Sequence, residues 1–277
     1  MVQGLSILTN VASAVGLERF NELRASLTTN QERVTTGLRI NGPKDDPATY
    51  AISQGLRGDI AGYRAVRTAL ATGAAVTDSA ITAGKAISDL LTEIKAKVVQ
   101  SNIASLDSSS RTSLDNDFQA LRSQLQTIVQ SAEFNGVNLL TQNASGITVL
   151  ATVEGSTITV SAARMDTTTL GLATLSLLQF AGAQTALTQI NSAIEVVADR
   201  LSVLGAASAR IDNQTSVTVA LTDILVDGLG GMLDADMGAE SARSTALRIQ
   251  EQLGAQALAI ANSSPRQILA LFPGAAF

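Results

Sequence analysis

The sequence predicts a mainly α protein, an elongated antiparallel helical rod or coiled coil carrying a small β-hairpin insert. Three observations carry that expectation. Apolar residues recur at spacings of three, four and seven over most of the 277 residues. The breaks are few and divide the chain into halves that mirror each other. Apolar residues make up 45% of the chain but aromatics only 3%, which suits helices packed along narrow Ala/Leu seams.

The first helix is expected over residues 5–36. Phe20, Leu23, Leu27 and Val34 form a coiled-coil stripe with Asn30 in its gap, while Gly16 weakens the earlier part. Gly37, Gly42 and Pro43 supply turn chemistry. Asp46-Pro47 then reads as an N-cap followed by proline at the first helical position, with Asp45 adding charge that the helix dipole favours.

From Pro47 to about Asn102 a second helical pattern uses Ile52, Leu56, Ile60, Val66, Leu70, Val76, Ile81, Ile87, Leu90, Leu91, Ile94 and Val98. At about 1.5 Å per residue it spans roughly 80 Å. Gly55, Gly58, Gly62, Gly73 and Gly84 each cost about 1 kcal/mol against alanine, tolerable where neighbours approach closely. A polar turn is expected over Ser105–Ser110. A third helix over 111–132 places Leu114, Phe118, Leu121, Leu125 and Ile128 on one stripe, and Phe134-Asn135-Gly136 is a turn signal.

The period changes to two over 147–163. Ile147, Val149 and Ala151, then Ile158, Val160 and Ala162, flank Glu154-Gly155-Ser156, a short hairpin. Residues 164–181 read as irregular. Helix returns from about Ala183 to Gly228 through Leu187, Ile190, Ile194, Val197, Leu201, Leu204, Ile211, Val217, Leu221 and Leu225. Gly230-Gly231 is expected to break it. A last helix covers about Asp234 to Leu271. The implied division is 1–42, 43–140, 141–181, 182–231 and 232–277.

Residues 1–17 and 252–265 carry no charged side chain yet are amphipathic, so they are expected to bury against each other and against neighbouring copies. The chain has no His, Cys or Trp and a net charge of −5. The commonest general base, the thiol nucleophile and most zinc ligands are therefore missing. No clustered Lys/Arg patch suits nucleic acid, no apolar run matches a membrane span, and the N-terminus lacks the features of a Sec signal peptide. No cofactor or metal site is expected. Asp234, Asp236 and Glu240 read as acidic residues at a helix N-terminus. Asp115 and Asp117 read as helix-surface residues without the glycine of a calcium loop.

The breaks carry a recognisable signature. Thr36-Gly37-Leu38-Arg39-Ile40-Asn41 with Lys44-Asp45-Asp46, then Glu133-Phe134-Asn135-Gly136-Val137-Asn138-Leu139-Leu140, resemble segments of bacterial flagellin. So do Leu233-Asp234-Ala235-Asp236 with Glu240, Gln252-Leu253-Gly254-Ala255-Gln256-Ala257-Leu258 and Ala261-Asn262-Ser263-Ser264-Pro265. The chain departs from that family at Pro43, Pro47, Gly16, Phe20 and the Pro273–Phe277 tail, and the large outer domains have no counterpart.

The resemblance implies a structural, non-enzymatic subunit that polymerises into the extracellular filament for swimming motility. The alternative within the family is a hook–filament junction protein. An insert of about 40 residues offering only Glu154, Arg164 and Asp166 argues against a catalytic outer domain. The implied partners are other copies of the chain, the flagellar type III export apparatus and a chaperone, and the filament cap and junction proteins. Leu8, Val11, Val15, Leu253, Leu258 and Ile260 are the expected inner-core seam, with Arg39, Asp45 and Asp46 as polar subunit contacts. The segment with Glu93, Lys95 and Lys97 aligns with a stretch that an innate immune receptor reads in many flagellins. The recognised form has arginine at the position of Glu93 and a glutamate-leucine pair at Ala96-Lys97, so recognition is expected to be weak.

Overall fold

The computed structural model describes residues 10–270, with residues 264–270 as backbone only. Five helices and two small antiparallel hairpins follow in the order α1 (Val11–Thr36), α2 (Pro47–Ser101), α3 (Ser108–Ser131), β1 (Glu133–Phe134), β2 (Val137–Asn138), β3 (Ile147–Leu150), β4 (Thr157–Val160), α4 (Phe180–Leu233) and α5 (Met237–Ala270). The mainly α class with a hairpin insert is what the periodicity predicts. The chain forms two compact units, one of residues 58–224 and one of residues 1–57 with 225–277.

The 58–224 unit holds the main apolar core. Leu70, Ile87, Leu91, Ile94 and Val98 of α2, Phe118, Leu125 and Val129 of α3, and Ile190, Val197, Leu204 and Ile211 of α4 form one buried cluster. Phe118 is its sole aromatic among the described residues. The hairpin covers one side of it. Ile147, Thr148, Val149 and Leu150 pair with Val160, Thr159, Ile158 and Thr157, and the alternation buries Val149, Ile158 and Val160. A Cβ on Gly73 would lie 2.5 Å from a Val149 methyl, and one on Gly84 would lie 2.8 Å from Leu201 Cδ2. Those two glycines, with Gly62 against Val153, permit close approach, whereas Gly55 and Gly58 face open space.

The inward face of α3 differs from the apolar stripe. Its buried residues are Arg111, Asp115, Phe118, Leu125 and Val129. Arg111 donates from Nη1 and Nη2 to the carbonyls of Ser101 and Ile103 at 2.9 and 2.7 Å, satisfying groups that the C-terminus of α2 leaves free. Asp115 Oδ1 accepts from the Leu177 N–H at 2.6 Å and from Ser176 Oγ at 3.1 Å. Asp115 therefore faces inward and is not a surface residue. It anchors the segment that enters α4, whereas Asp117 remains on the surface.

Other expectations need correcting. The turn before α3 covers residues 102–107 and ends earlier than the expected Ser105–Ser110, because Asp107 accepts from the Ser110 N–H and starts the helix at Ser108. Phe134-Asn135-Gly136 is more than a turn signal. Asn135 and Gly136 take φ of 51° and 79°, the left-handed pair of a two-residue hairpin loop, and join β1 to β2. Residues 164–179 are irregular as expected, but Met165, Leu170, Leu172 and Leu177 within them are fully buried. Ile52, Val217 and Leu221 are exposed. Gly230-Gly231 does not end α4, which continues to the buried Leu233. By length and composition alone, α4 is also long and apolar enough to cross a bilayer. Asp223 and Asp227 are exposed along it, and a carboxylate at a bilayer centre costs about 2.5–3.5 kcal/mol.

Candidate subunit-interface surface

In the unit of residues 1–57 with 225–277, α1 and α5 run antiparallel in contact. Asn10 begins the pair. Its Oδ1 accepts from the Ser13 N–H at 3.0 Å, capping α1, and its Nδ2 donates to the Ala261 carbonyl at 2.8 Å. Gly16 then admits Leu258, whose Cδ2 would lie 3.1 Å from a Cβ there, and Gly254 admits the Phe20 ring edge at 3.2 Å. Gly16 and Phe20 thus both lock onto α5 along one seam, Gly16 against Leu258 and Phe20 against Gly254. Arg24 reaches Glu251 at 3.4 Å across the same seam.

Leu27 and Asn30 are the buried residues of α1. Asn30 Nδ2 donates to the Glu240 backbone carbonyl at 3.0 Å and also reaches its carboxylate, while Arg33 pairs with the same carboxylate at 3.3 Å. A buried asparagine in an apolar stripe sets register, because any slip leaves its amide N–H groups unpaired.

The pair closes on a clasp of two turns. Gly37 takes φ 72° and ends α1 by donating its N–H to the Arg33 carbonyl at 2.8 Å, the left-handed C-cap for which glycine is suited. The Arg39 N–H donates to the Leu233 carbonyl at 2.6 Å, the Ala235 N–H to the Gly37 carbonyl at 2.8 Å, and Arg39 Nη2 to the Met232 carbonyl at 2.7 Å. Asp45 Oδ2 accepts from the N–H groups of Asn41 and Gly42. Asp46 Oδ1 accepts from Ala48 and Thr49, making the expected N-cap of α2. Those bonds, first that from the Thr49 hydroxyl, hold the Asp46 carboxyl below its ordinary range. The cap is thus present above the unfolded-state pKa and is lost as pH falls through the lower folded-state value. Arg39, Asp45 and Asp46 accordingly organise the turn within their own chain.

Along this seam, several large apolar side chains are left at least half exposed. Val11 and Val15 are 55% and 52% exposed, and Leu253 and Ile260 are 58% and 70% exposed. Val11 and Val15 lie four residues apart on α1, and Leu253 and Ile260 lie seven apart on α5, so each pair forms a stripe on one helix face. Leu258 lies instead inside the seam against Gly16, and Leu8 lies outside the described residues. Leu17 and Ile249 are equally exposed. Ile249 stands four residues before Leu253 on the same stripe, a spacing that could have found it.

The acidic cluster of Asp234, Asp236 and Glu240 resolves as a helix terminus. Asp236 Oδ1 caps α5 by accepting from Gly238 and Ala239, and Glu240 lies in the first turn. Among the described residues no group of three or more His, Cys, Asp or Glu gathers as a metal site would require. On α2, Glu93 is exposed and Lys95 half-buried. Lys97 Nζ meets Asp117 Oδ2 of α3 at 2.7 Å, and that hydrogen bond raises the lysine above its ordinary range.

Residues 7–145 match the bacterial flagellin N-terminal helical region, and residues 187–272 match the bacterial flagellin C-terminal helical region. Flagellin FljK of Caulobacter vibrioides is 35% identical over 268 residues, covering 96% of this chain and 98% of that protein. A flagellin of Brucella melitensis is 33% identical over 282 residues, covering 97% and 99%. The structure of a putative flagellar hook-associated protein from Vibrio parahaemolyticus superposes with a TM-score of 0.58 at 14% identity, covering 69% of this chain and 100% of that one. That likeness concerns the fold alone.

Proposed function

We propose, from the premise that this chain belongs to the bacterial flagellin family and is a structural subunit of the extracellular flagellar filament, that its exposed α1 and α5 stripes are the inner subunit contacts. The observation that carries this reading is the mismatch between ordering and burial in the α1–α5 pair. Ordering backbone costs about 1–2 kcal/mol per residue, and α1 alone has 26 residues. Among the described residues of the pair the buried apolar side chains are few: Leu27 on α1 and Leu247 on α5. Each contributes about 1.5–3 kcal/mol. Val11, Val15, Leu253 and Ile260 hold apolar area that another copy would cover. Contacts of one patch with a different patch on the next copy do not close and generate a helical polymer.

In this reading residues 1–42 and 232–277 are the inner core, 43–140 and 182–231 the helical core domain, and 141–181 its insert. Arg39, Asp45 and Asp46 shape the turn whose outer face meets a neighbour. The protein has no enzymatic role, consistent with membership of a structural family. Export passes through the flagellar type III apparatus with a chaperone, and cap and junction proteins complete the assembly. The sparse burial of the α1–α5 pair supports export in an unfolded state and ordering at the growing end. Removal of residues 253–277 is expected to leave a soluble, helical monomer that does not polymerise. Filaments of normal appearance from that truncation, in electron micrographs of seeded samples, would refute the assignment.

For immune recognition we infer a weak response. Glu93 projects a negative charge where the recognised form of the family carries arginine, and an interface that expects a cation disfavours it. Purified monomer is expected to stimulate a receptor reporter assay poorly, and Glu93→Arg combined with Ala96→Glu and Lys97→Leu to raise the signal. Full stimulation by the unaltered chain would contradict this inference.

A further inference from the structure

The chain contains two Asn-Gly steps, Asn41-Gly42 and Asn135-Gly136, and the structure treats them differently. This sequence pair is chemically labile because glycine leaves its own backbone nitrogen unhindered beside the asparagine side chain. At Asn41-Gly42 that nitrogen is engaged. The Gly42 N–H donates to Asp45 Oδ2 at 3.1 Å, and the same oxygen accepts from the Asn41 N–H at 2.9 Å. Asp45 thereby fixes the backbone on both sides of the side chain that would react.

At Asn135-Gly136 nothing equivalent is present among the described residues. The Asn135 side chain and Gly136 are both exposed. A Cβ built on Gly136 meets nothing within 4 Å. Among the described residues no acceptor holds the Gly136 N–H. Asn135 sits at φ 51°, a region that a residue with a side chain visits at a cost. The hairpin that keeps it there consists of two pairs, Glu133 with Asn138 and Phe134 with Val137, so little structure opposes the turn of the backbone that reaction requires.

We propose that Asn135 is a site of spontaneous modification, deamidating through a succinimide in the folded subunit while Asn41 is protected by Asp45. The Gly136 backbone nitrogen attacks the Asn135 Cγ, forming a nitrogen–carbon bond. The Cγ–Nδ2 bond breaks, and the amide nitrogen leaves as ammonia with the proton of the Gly136 N–H. Water then adds to either carbonyl of the five-membered ring. Opening yields aspartate, or isoaspartate with one extra methylene in the main chain. Both products add a negative charge beside Glu133. The second also lengthens the backbone of a two-residue turn and unpicks the β1–β2 hairpin.

Peptide mapping by mass spectrometry tests this on the intact, folded chain held in mildly alkaline buffer. Each converted peptide gains about one dalton, and isoaspartate is scored separately by enzymatic methylation. Conversion at Asn135 is expected to run roughly tenfold or more faster than at Asn41, the factor that a backbone bond to a carboxylate supplies. Asn135→Gln should silence that peptide, because its longer side chain would have to close a six-membered ring. Asp45→Ala should accelerate conversion at Asn41. Equal or slower conversion at Asn135 than at Asn41 in the unaltered chain overturns the proposal, as does conversion of Asn135 confined to urea-unfolded protein.

Discussion

Replacing Val11, Val15, Leu253 and Ile260 together with aspartate is expected to abolish filament growth while leaving the monomer's helical content nearly unchanged. All four are at least half exposed in the monomer, where surface substitutions usually shift stability by about 0.5 kcal/mol or less. Val11 lies in the first turn of α1, where the helix dipole favours a carboxylate. In a polymer the balance reverses. Covering the exposed half of four such side chains contributes roughly 0.8–1.5 kcal/mol each, and an uncompensated charge placed there costs several kcal/mol more. The subunit affinity then falls by at least about four orders of magnitude. Sedimentation of seeded samples with circular dichroism of the supernatant reads both effects. Wild-type pelleting from the fourfold variant would remove these residues from the interface.

Phe118→Ala has the second large effect, and it acts on the subunit itself. Phe118 is fully buried and is the sole aromatic among the described residues of the core cluster. Deleting its ring leaves a cavity between stiff helices that carry many alanines and cannot close around it. The cost is about 3–5 kcal/mol. For a unit of residues 58–224 this corresponds to a fall of roughly 6–20 °C in Tm. Thermal melting followed at the far-ultraviolet helix signal measures it. A fall of less than about 2 °C would mean that the neighbouring helices repack freely.

Much of this architecture was legible in the sequence because helical periodicity survives wherever one face is buried. The stripe from Val66 to Val98 in α2 and the alternation of Val149, Ile158 and Val160 both translate directly into burial. The cap at Asp46 and the left-handed turn at Gly37 were readable because their chemistry is local. What escaped was determined at a distance. Arg111 and Asp115 interrupt the apolar stripe of α3 because they satisfy backbone groups of Ser101, Ile103 and Leu177, partners that no spacing reveals. Gly230-Gly231 reads as a break, yet the helix passes through it. The two glycines cost about 2 kcal/mol, which the burial of Leu233 and the hydrogen bonds of the clasp with Arg39 and Ala235 offset.

The candidate interface divides the same way. Uncharged, amphipathic ends pointed to Val11, Val15, Leu253 and Ile260, and all four remain exposed in the single chain. Leu258 has the same composition signal but is engaged by Gly16, a pairing across the seam that only the folded register displays. Ile249 and Leu17 share the exposure and extend the surface.

A helical reconstruction by electron cryo-microscopy of filaments repolymerised from the purified chain tests the central claim most directly. The expected result is an ordered tube in which Val11, Val15, Leu253 and Ile260 are buried between neighbouring copies, with the Gly16–Leu258 and Gly254–Phe20 contacts retained within each subunit. Ordered filaments in which those four side chains face solvent would contradict it.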